Sequence, residues 1–94
     1  MVSMTVYMKI IPEKETEFLQ TMTSLKQDEQ HSRGLLSTTI YRSIDDQNLF
    51  SFTNQWETDD DLKNYLKGKS FTVLLGAVEV LCESTEIKYT ESAS

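Results

Sequence analysis

The chain has little of what many functional sites require, because its 94 residues include one cysteine, one histidine, one proline and three glycines. The single cysteine, Cys82, cannot form an internal disulfide, and its mostly apolar sequence surroundings favour packing over reactivity. One histidine cannot supply a Cys/His zinc set, and a Ser/His/Asp triad would depend wholly on it. No glycine-rich phosphate loop is present either. The sequence therefore argues against these kinds of site and is typical of the reducing cytosol.

Long apolar runs and an excess of positive charge are also missing. No apolar stretch reaches the roughly 18 residues of a membrane span, and the start lacks the basic and apolar regions of a targeting signal. Nine basic residues against fifteen acidic ones give a formal charge of −6 at pH 7. This charge repels nucleic acid and anionic lipid surfaces. We therefore expect a soluble cytoplasmic protein that binds neither nucleic acid nor membranes.

What is present has the composition of one small globular domain, with 38% hydrophobic and 26% charged residues. A chain of this length is long enough for one compact core and too short for two. We predict a single domain over residues 1–90 and a short flexible tail over residues 91–94.

The first half of the chain predicts a strand, a helix and a second strand. Apolar residues alternate from Val2 to Ile10, which is typical of a strand with one buried face. A helix is predicted over Pro12–Gln30, with Pro12 in its first turn and an apolar stripe that includes Phe18. Gly34 is predicted to close that helix in a left-handed conformation. The second strand is predicted at about Leu35–Arg42.

The second half predicts a hairpin turn over residues 43–48, a third strand over residues 48–57, two helices and a last strand over residues 84–91. Thr58 is a suitable N-cap for the first of these helices, which Gly68 ends. Ser70 is the predicted cap of the next helix. The third strand places four residues on one face: Phe50, Phe52, Asn54 and Trp56.

The order βαββααβ predicts an α+β, ferredoxin-like fold, in which helices cover one face of a four-stranded antiparallel sheet. The other face is also predicted to carry apolar residues: Tyr7, Ile11, Leu35, Tyr41 and Leu49. A second copy of the chain would cover that face, so we expect a homodimer that joins sheet to sheet. The alternative is a monomer with scattered exposed apolar groups.

The segment SFTNQWETDDDLKNYLKGKSFTVLLGAVEVL resembles the antibiotic biosynthesis monooxygenase family of dimeric α/β-barrel proteins. The shared features are a strand that ends in Trp-Glu, a short helix with a DL..YL core, a Gly/Ser break and F..LLGA. The segments IIPEKETEFLQTM and RGLLSTTIYRSIDDQNLFSF look like the opening helix and the central hairpin of the family. The resemblance covers essentially the whole chain.

The resemblance implies a cofactor-independent monooxygenase that oxidises a small aromatic, quinol or polyketide-like molecule with O₂. The haem-degrading branch of the family relies on an Asn in strand one, a Trp late in helix two and a His in helix three. Here strand one has no Asn, Tyr65 stands where that Trp would fall, and helix three has no His. We therefore expect no haem, no metal and no other cofactor.

Such an oxidation needs hydrogen-bond donors for a developing oxyanion and an apolar wall that excludes water. The candidate donors are Asn54, Trp56 and Tyr65, and His31 is the candidate base because histidine is the residue type that most often serves as a base near neutral pH. The candidate wall consists of Phe71, Leu74 and Leu75. We expect the substrate to bind between the helices and the sheet.

Each candidate also has a structural explanation. Trp56 and Tyr65 have the positions of core anchors, and His31 that of a solvated residue near a helix end. Asn54 is the most informative, because an amide among aromatic side chains needs partners. The acidic run Asp59–Asp61 is explained better by helix capping than by metal binding. The alternative function is a non-catalytic small-molecule-binding or interaction module.

Overall fold

Strands and helices follow the order βαββααβ in the computed structural model, which describes residues 1–93. The strands are β1 (Val2–Ile10), β2 (Leu35–Arg42), β3 (Leu49–Trp56) and β4 (Cys82–Glu91). The helices are α1 (Glu15–Glu29), α2 (Asp59–Leu66) and α3 (Lys69–Leu81). The predicted flexible tail ends at Ser94, which lies outside the described residues.

The four strands form one antiparallel sheet in the order β2-β3-β1-β4. This arrangement confirms the predicted α+β, ferredoxin-like fold. The alternation in β1 is also confirmed, because its apolar residues at even positions are buried while Tyr7 and Lys9 are exposed. All four predicted inward residues of β3 are buried: Phe50, Phe52, Asn54 and Trp56.

The helices cover the inner face of the sheet and enclose one hydrophobic core. Phe18, Met22 and Leu25 of α1 are buried, and the Phe18 ring lies 4.8 Å from the ring of Phe50. Leu74, Val78 and Leu81 give α3 its buried stripe. Within residues 1–93, no helix combines the length and the apolar character that crossing a membrane requires.

Two local predictions are confirmed by side-chain hydrogen bonds. Thr58 caps α2, since its Oγ1 accepts a hydrogen bond from the Asp61 N–H at 3.1 Å. In the hairpin turn, Ser43 Oγ accepts from the N–H groups of Asp45 and Asp46 at 3.2 and 3.3 Å. These contacts fix where α2 begins and how β2 returns as β3.

Helix boundaries account for three differences from the sequence predictions. Pro12–Lys14 form a 3₁₀ turn, so the α-helix begins only at Glu15. Gly34 has the predicted positive φ of 80°, but α1 has already ended at Glu29, so Gly34 leads the chain into β2. The N-cap of α3 is Gly68 and not Ser70, because the break after α2 is short enough for Lys69 to begin the new helix.

The outer face of the sheet is more polar than predicted. Tyr7, Tyr41 and Leu49 lie there and are 42%, 58% and 37% exposed, and we call these three residues the outer patch. Leu35 instead packs against the core, since a bulge between Leu35 and Ser37 shifts the register of β2. Ile11 lies beyond the end of β1. Hydroxyl side chains occupy much of the remaining outer surface: Ser3, Thr5, Thr39, Ser51 and Thr53.

Candidate functional site

A buried acidic residue ends the apolar stripe of α1. The stripe runs through Phe18, Met22 and Leu25 and continues, four residues on, to Glu29, which is fully buried. Helical periodicity therefore turns this carboxylate towards the sheet together with the core residues. Its Oε1 accepts a short hydrogen bond from the hydroxyl of Tyr65 on α2, with an O–O distance of 2.5 Å.

A second polar pair comes from the inner face of β3. Asn54 and Trp56 are two residues apart, so their side chains point to the same side of the sheet. The indole N–H of Trp56 donates to Oδ1 of Asn54 at 2.8 Å, and both side chains are buried. This bond leaves the amide nitrogen of Asn54, which is the donor end of the group, directed into the interior.

Thr38 brings a hydroxyl from β2 to the same place, because the sheet register sets it opposite Asn54. We call Glu29, Thr38, Asn54, Trp56 and Tyr65 the polar cluster. Three of its buried atoms, Glu29 Oε2, Thr38 Oγ1 and Asn54 Nδ2, make no hydrogen bond within residues 1–93. Each such atom costs about 1–3 kcal/mol of folding free energy. A cluster with three of them is expensive as structure, which calls for a functional explanation.

Burial dominates the electrostatics of the polar cluster. It raises the pKa of the Glu29 carboxyl above its usual 4.5, and the Tyr65 hydrogen bond opposes that rise only in part. The Asn54 amide and the Thr38 hydroxyl also act to lower this pKa, from positions that fall short of full hydrogen-bond geometry. Burial and the neighbouring Glu29 carboxylate raise the pKa of Tyr65, so its phenol keeps its proton.

A surface depression of about 240 Å³ adjoins the polar cluster, and we call it the aromatic pocket. Trp56 and Tyr65 line it, and their ring centroids are 5.0 Å apart. Its rim is polar and includes Ser32, Arg33 and Asp61. Trp56 and Tyr65 are only 1% and 7% exposed, and their polar groups are hydrogen-bonded in the interior to Asn54 and Glu29.

Of the predicted donors, the structure brings Asn54, Trp56 and Tyr65 together. Trp56 and Tyr65 already donate to protein acceptors, so the Asn54 amide nitrogen is the donor of the three that remains unpartnered within residues 1–93. The predicted apolar wall is dispersed. Phe71 packs on Tyr65 at 5.7 Å between ring centroids, Leu74 is fully buried in the core, and Leu75 is 41% exposed.

His31 lies apart from the polar cluster. Its ring is exposed and approaches the side chain of Gln30 at 3.4 Å. It lies two residues beyond the end of α1, whereas Ser32 and Arg33 line the aromatic pocket.

The acidic run at the start of α2 makes local contacts. Asp59 pairs with Lys63 at 2.8 Å, and the hydroxyl of Thr58 donates to Asp61 Oδ2 at 2.8 Å. Within the part of the chain that the structure describes, no three His, Cys, Asp or Glu side chains gather closely enough to hold a metal ion.

Sequence reasoning missed Glu29 and Thr38. The signal for Glu29 was present, because it continues the spacing Phe18, Met22, Leu25 by four residues and is the charged member of an otherwise apolar stripe. Thr38 has no comparable signal in a strand that contains Ser37 and Thr39 as neighbours. Its importance comes from its position opposite Asn54.

The fold and the site define a small ferredoxin-like α+β domain whose buried acid and amide adjoin an aromatic pocket. The model of the antibiotic biosynthesis monooxygenase family matches residues 1–74. This match spans most of the chain, and the chain belongs to that family. Among curated proteins, none gives a significant match.

Solved structures share the fold at low sequence identity. A candidate antibiotic biosynthesis monooxygenase from Deinococcus radiodurans superposes with a TM-score of 0.91 at 17% identity, covering 100% of this chain and 94% of its own. A conserved protein from Methanosarcina mazei gives 0.89 at 16%, covering 97% and 91%. A candidate monooxygenase of the same kind from Nitrosomonas europaea gives 0.85 at 16%, covering 100% of both chains. At these identities the likeness concerns the fold.

Proposed function

We propose that the protein is a cofactor-independent monooxygenase that oxidises a small aromatic or polyketide-like molecule with O₂. Membership of the monooxygenase family supports the reaction class. The aromatic pocket supports the substrate class, because two of its lining residues, Trp56 and Tyr65, are aromatic and such side chains pack favourably on planar rings.

A reaction without a cofactor requires the substrate to supply every electron that O₂ accepts. A methylene group activated by aromatic rings, as in an anthrone, meets this requirement, since its oxidation to a carbonyl consumes one O₂ and releases one water. Loss of the hydroxyl proton from the enol form of the substrate first gives an electron-rich enolate, which passes an electron to O₂. The resulting radicals combine into a peroxide that loses water to give the carbonyl. A quinol would instead yield a quinone and hydrogen peroxide.

The observation that carries the proposal is the amide nitrogen of Asn54, which makes no hydrogen bond within residues 1–93. It is a fully buried N–H₂ donor held in place by the Trp56 bond to its oxygen. A fixed donor in a site that excludes water stabilises a developing oxyanion far better than solvent does. In the proposed reaction, the Asn54 amide receives the oxygen that becomes negative when the substrate loses its proton.

Oxygen uptake by the purified protein, with anthrones and quinols as substrates, tests this function. We expect uptake with an anthrone and no accumulation of hydrogen peroxide. Asn54→Ala should lower the rate by on the order of 10²–10³, the usual cost of removing one oxyanion donor. Gln55→Ala is the matched control, because it removes an amide from the next residue of β3, which is half-buried on the opposite face of the sheet. No protein-dependent uptake across the substrates would contradict the oxygenase and favour a binding module.

We also propose that the protein is a homodimer joined through the outer faces of its sheets. The outer patch supports this proposal, since Tyr7, Tyr41 and Leu49 border a depression of about 190 Å³ that a second chain could fill. Light scattering should give the mass of a dimer at micromolar concentration. A monomer mass would contradict the proposed assembly and leave the proposed reaction unaffected.

A further inference from the structure

We infer that Glu29 is the proton acceptor of the aromatic pocket and that it takes the proton of a bound phenol or enol through the hydroxyl of Tyr65. This inference rests on the proposed function and assigns its base. The juxtaposition that carries it is a fully buried carboxylate bonded to a tyrosine that lines the pocket.

Tyr65 connects the two parts of the site. It lines the aromatic pocket beside Trp56, and its hydroxyl donates to Glu29 Oε1 at 2.5 Å. The phenol is itself a poor resting base, because burial and the adjacent carboxylate raise the pKa of Tyr65. A group in this position transmits a proton without holding a negative charge.

The transfer moves two protons, one from the substrate to Tyr65 and one from Tyr65 to Glu29. The O–H bond of the substrate breaks, and its proton bonds to Tyr65 Oη while the proton of Tyr65 moves to Glu29 Oε1. The substrate is left as the anion, Glu29 becomes neutral, and Tyr65 is unchanged. When the peroxide formed with O₂ loses water, the same proton returns through Tyr65, and the Glu29 carboxylate is regenerated.

The surroundings of Glu29 suit a group that must gain and lose a proton. Asp28, the preceding residue of α1, adds to the rise in its pKa, while Tyr65 from α2, Asn54 from β3 and Thr38 from β2 oppose it. Tyr89 from β4 acts on Tyr65. Within residues 1–93, no lysine or arginine forms an ion pair with Glu29. Arg33 and Asp61 carry charge only at the rim of the pocket.

A purely structural role explains this arrangement less well. A buried carboxylate that served only as an acceptor for Tyr65 would be replaced at lower cost by a neutral side chain. Its second oxygen, Oε2, is buried and makes no hydrogen bond within residues 1–93, and the Asn54 and Thr38 side chains that favour its charge fall short of full hydrogen-bond geometry.

The test uses 4-nitrophenol, whose ionised form absorbs visible light, and follows its binding separately by calorimetry. At about one pH unit below the pKa of the free phenol, we expect the wild-type protein to bind it in ionised form without net proton release to the buffer. Glu29→Gln keeps an acceptor for Tyr65 but cannot take up a proton. We expect it to lower the ionisation constant of the bound phenol by about tenfold or more while affinity for the neutral phenol is retained.

Two further variants separate the relay from the fold. Tyr65→Phe should abolish the ionised signal although the Glu29 carboxyl still titrates in carbon NMR. Glu17→Gln, on the exposed face of the same helix, should leave the signal unchanged. Carbon NMR of the wild-type protein gives a test that needs no folded variant, since the Glu29 carboxyl should become protonated when 4-nitrophenol binds.

The outcomes are distinguishable. Ionisation that persists in Glu29→Gln, or a Glu29 carboxyl that stays ionised in the wild-type complex, would overturn the role of Glu29 and leave the oxygenase standing. Absence of any binding to the wild-type protein would contradict the phenol-binding pocket, and with it both the proposed function and this inference.

Discussion

The two ends of the inner face of the sheet are built differently. At one end, Met8, Phe18 and Phe50 are buried in the hydrophobic core, and Arg42 lies over the outer part of this end, 4.6 Å from the Phe50 ring, where it pairs with the partly exposed Glu15. At the other end, Glu29, Asn54 and Trp56 of the polar cluster are as deeply buried, and three buried polar atoms of the cluster are unpartnered within residues 1–93. Both ends belong to the same layer, so the difference indicates that the apolar end supplies stability and the polar end holds a costly arrangement suited to chemistry.

The largest effect should come from the apolar end. Phe18→Ala removes a fully buried ring that contacts Phe50 and should lower the free energy of unfolding by about 3–5 kcal/mol. Urea unfolding followed by circular dichroism measures this loss. Leu19→Ala is the control, because Leu19 is 38% exposed on the same helix and should change stability by less than about 1 kcal/mol. Equal losses in both variants would contradict the division of the inner face.

A smaller loss is expected when the polar cluster loses its best hydrogen bond. Tyr65→Phe removes the hydroxyl that donates to the buried Glu29 carboxylate and should lower the free energy of unfolding by about 1–3 kcal/mol near neutral pH. The cost should shrink in acid, where Glu29 is neutral. Tyr7→Phe removes a hydroxyl from the exposed outer face and serves as the control in the same unfolding measurement. A loss for Tyr65→Phe that does not vary with pH would contradict the charge on Glu29.

Glu29 should also give stability a pH dependence of a definite sign. Because its folded pKa lies above 4.5, the folded state holds this proton more tightly than the unfolded state. The contribution of Glu29 is therefore most favourable below the unfolded value and is lost as pH rises through the folded pKa. In Glu29→Gln, the decrease in the free energy of unfolding that comes from Glu29 should be absent when unfolding is measured across this pH range. If the free energies of unfolding of the wild-type protein and the variant changed with pH in the same way, the raised pKa of Glu29 would be contradicted.

The smallest effect should be a gain in stability at the polar end. Thr38→Val keeps the shape of the side chain and removes a buried hydroxyl without a partner in residues 1–93, so stability should rise by about 0.5–1 kcal/mol. Stability should be measured at about pH 4, where Glu29 is protonated and the Thr38 hydroxyl no longer stabilises a charge on it. Thr39→Val on the outer face is the neighbouring control. A loss of stability in Thr38→Val would indicate that the hydroxyl has a structural partner.

The sequence predicted what depends on local pattern. The alternation through β1, the Thr58 cap and the hairpin at Ser43 each arise from neighbouring residues, and all three are confirmed. The Ser70 cap was wrong because Gly68, which was predicted only to end α2, is also the N-cap of α3, so that this helix begins at Lys69. Leu35 was assigned to the wrong face because a bulge, which has no sequence signal here, reverses the alternation.

The polar cluster was only half predictable, for a physical reason. Asn54 and Trp56 are on one strand, so their shared face follows from the period of two. The bond from Tyr65 to Glu29 joins residues 36 positions apart and depends on how α2 packs beside the end of α1. The prediction of a base followed the usual preference for histidine, but His31 is exposed. Burial instead raises the pKa of Glu29, which the sequence analysis did not consider.

Trp56 gives the protein a built-in optical reporter. It is the single tryptophan among 94 residues, its indole N–H is bonded to Asn54, and its ring lies 5.0 Å from that of Tyr65. Indole emission responds to polarity and hydrogen bonding, so the fluorescence of the unlabelled protein comes from the boundary between the polar cluster and the aromatic pocket. Entry of an aromatic ligand or rearrangement of Asn54 can therefore be followed in real time without adding a dye.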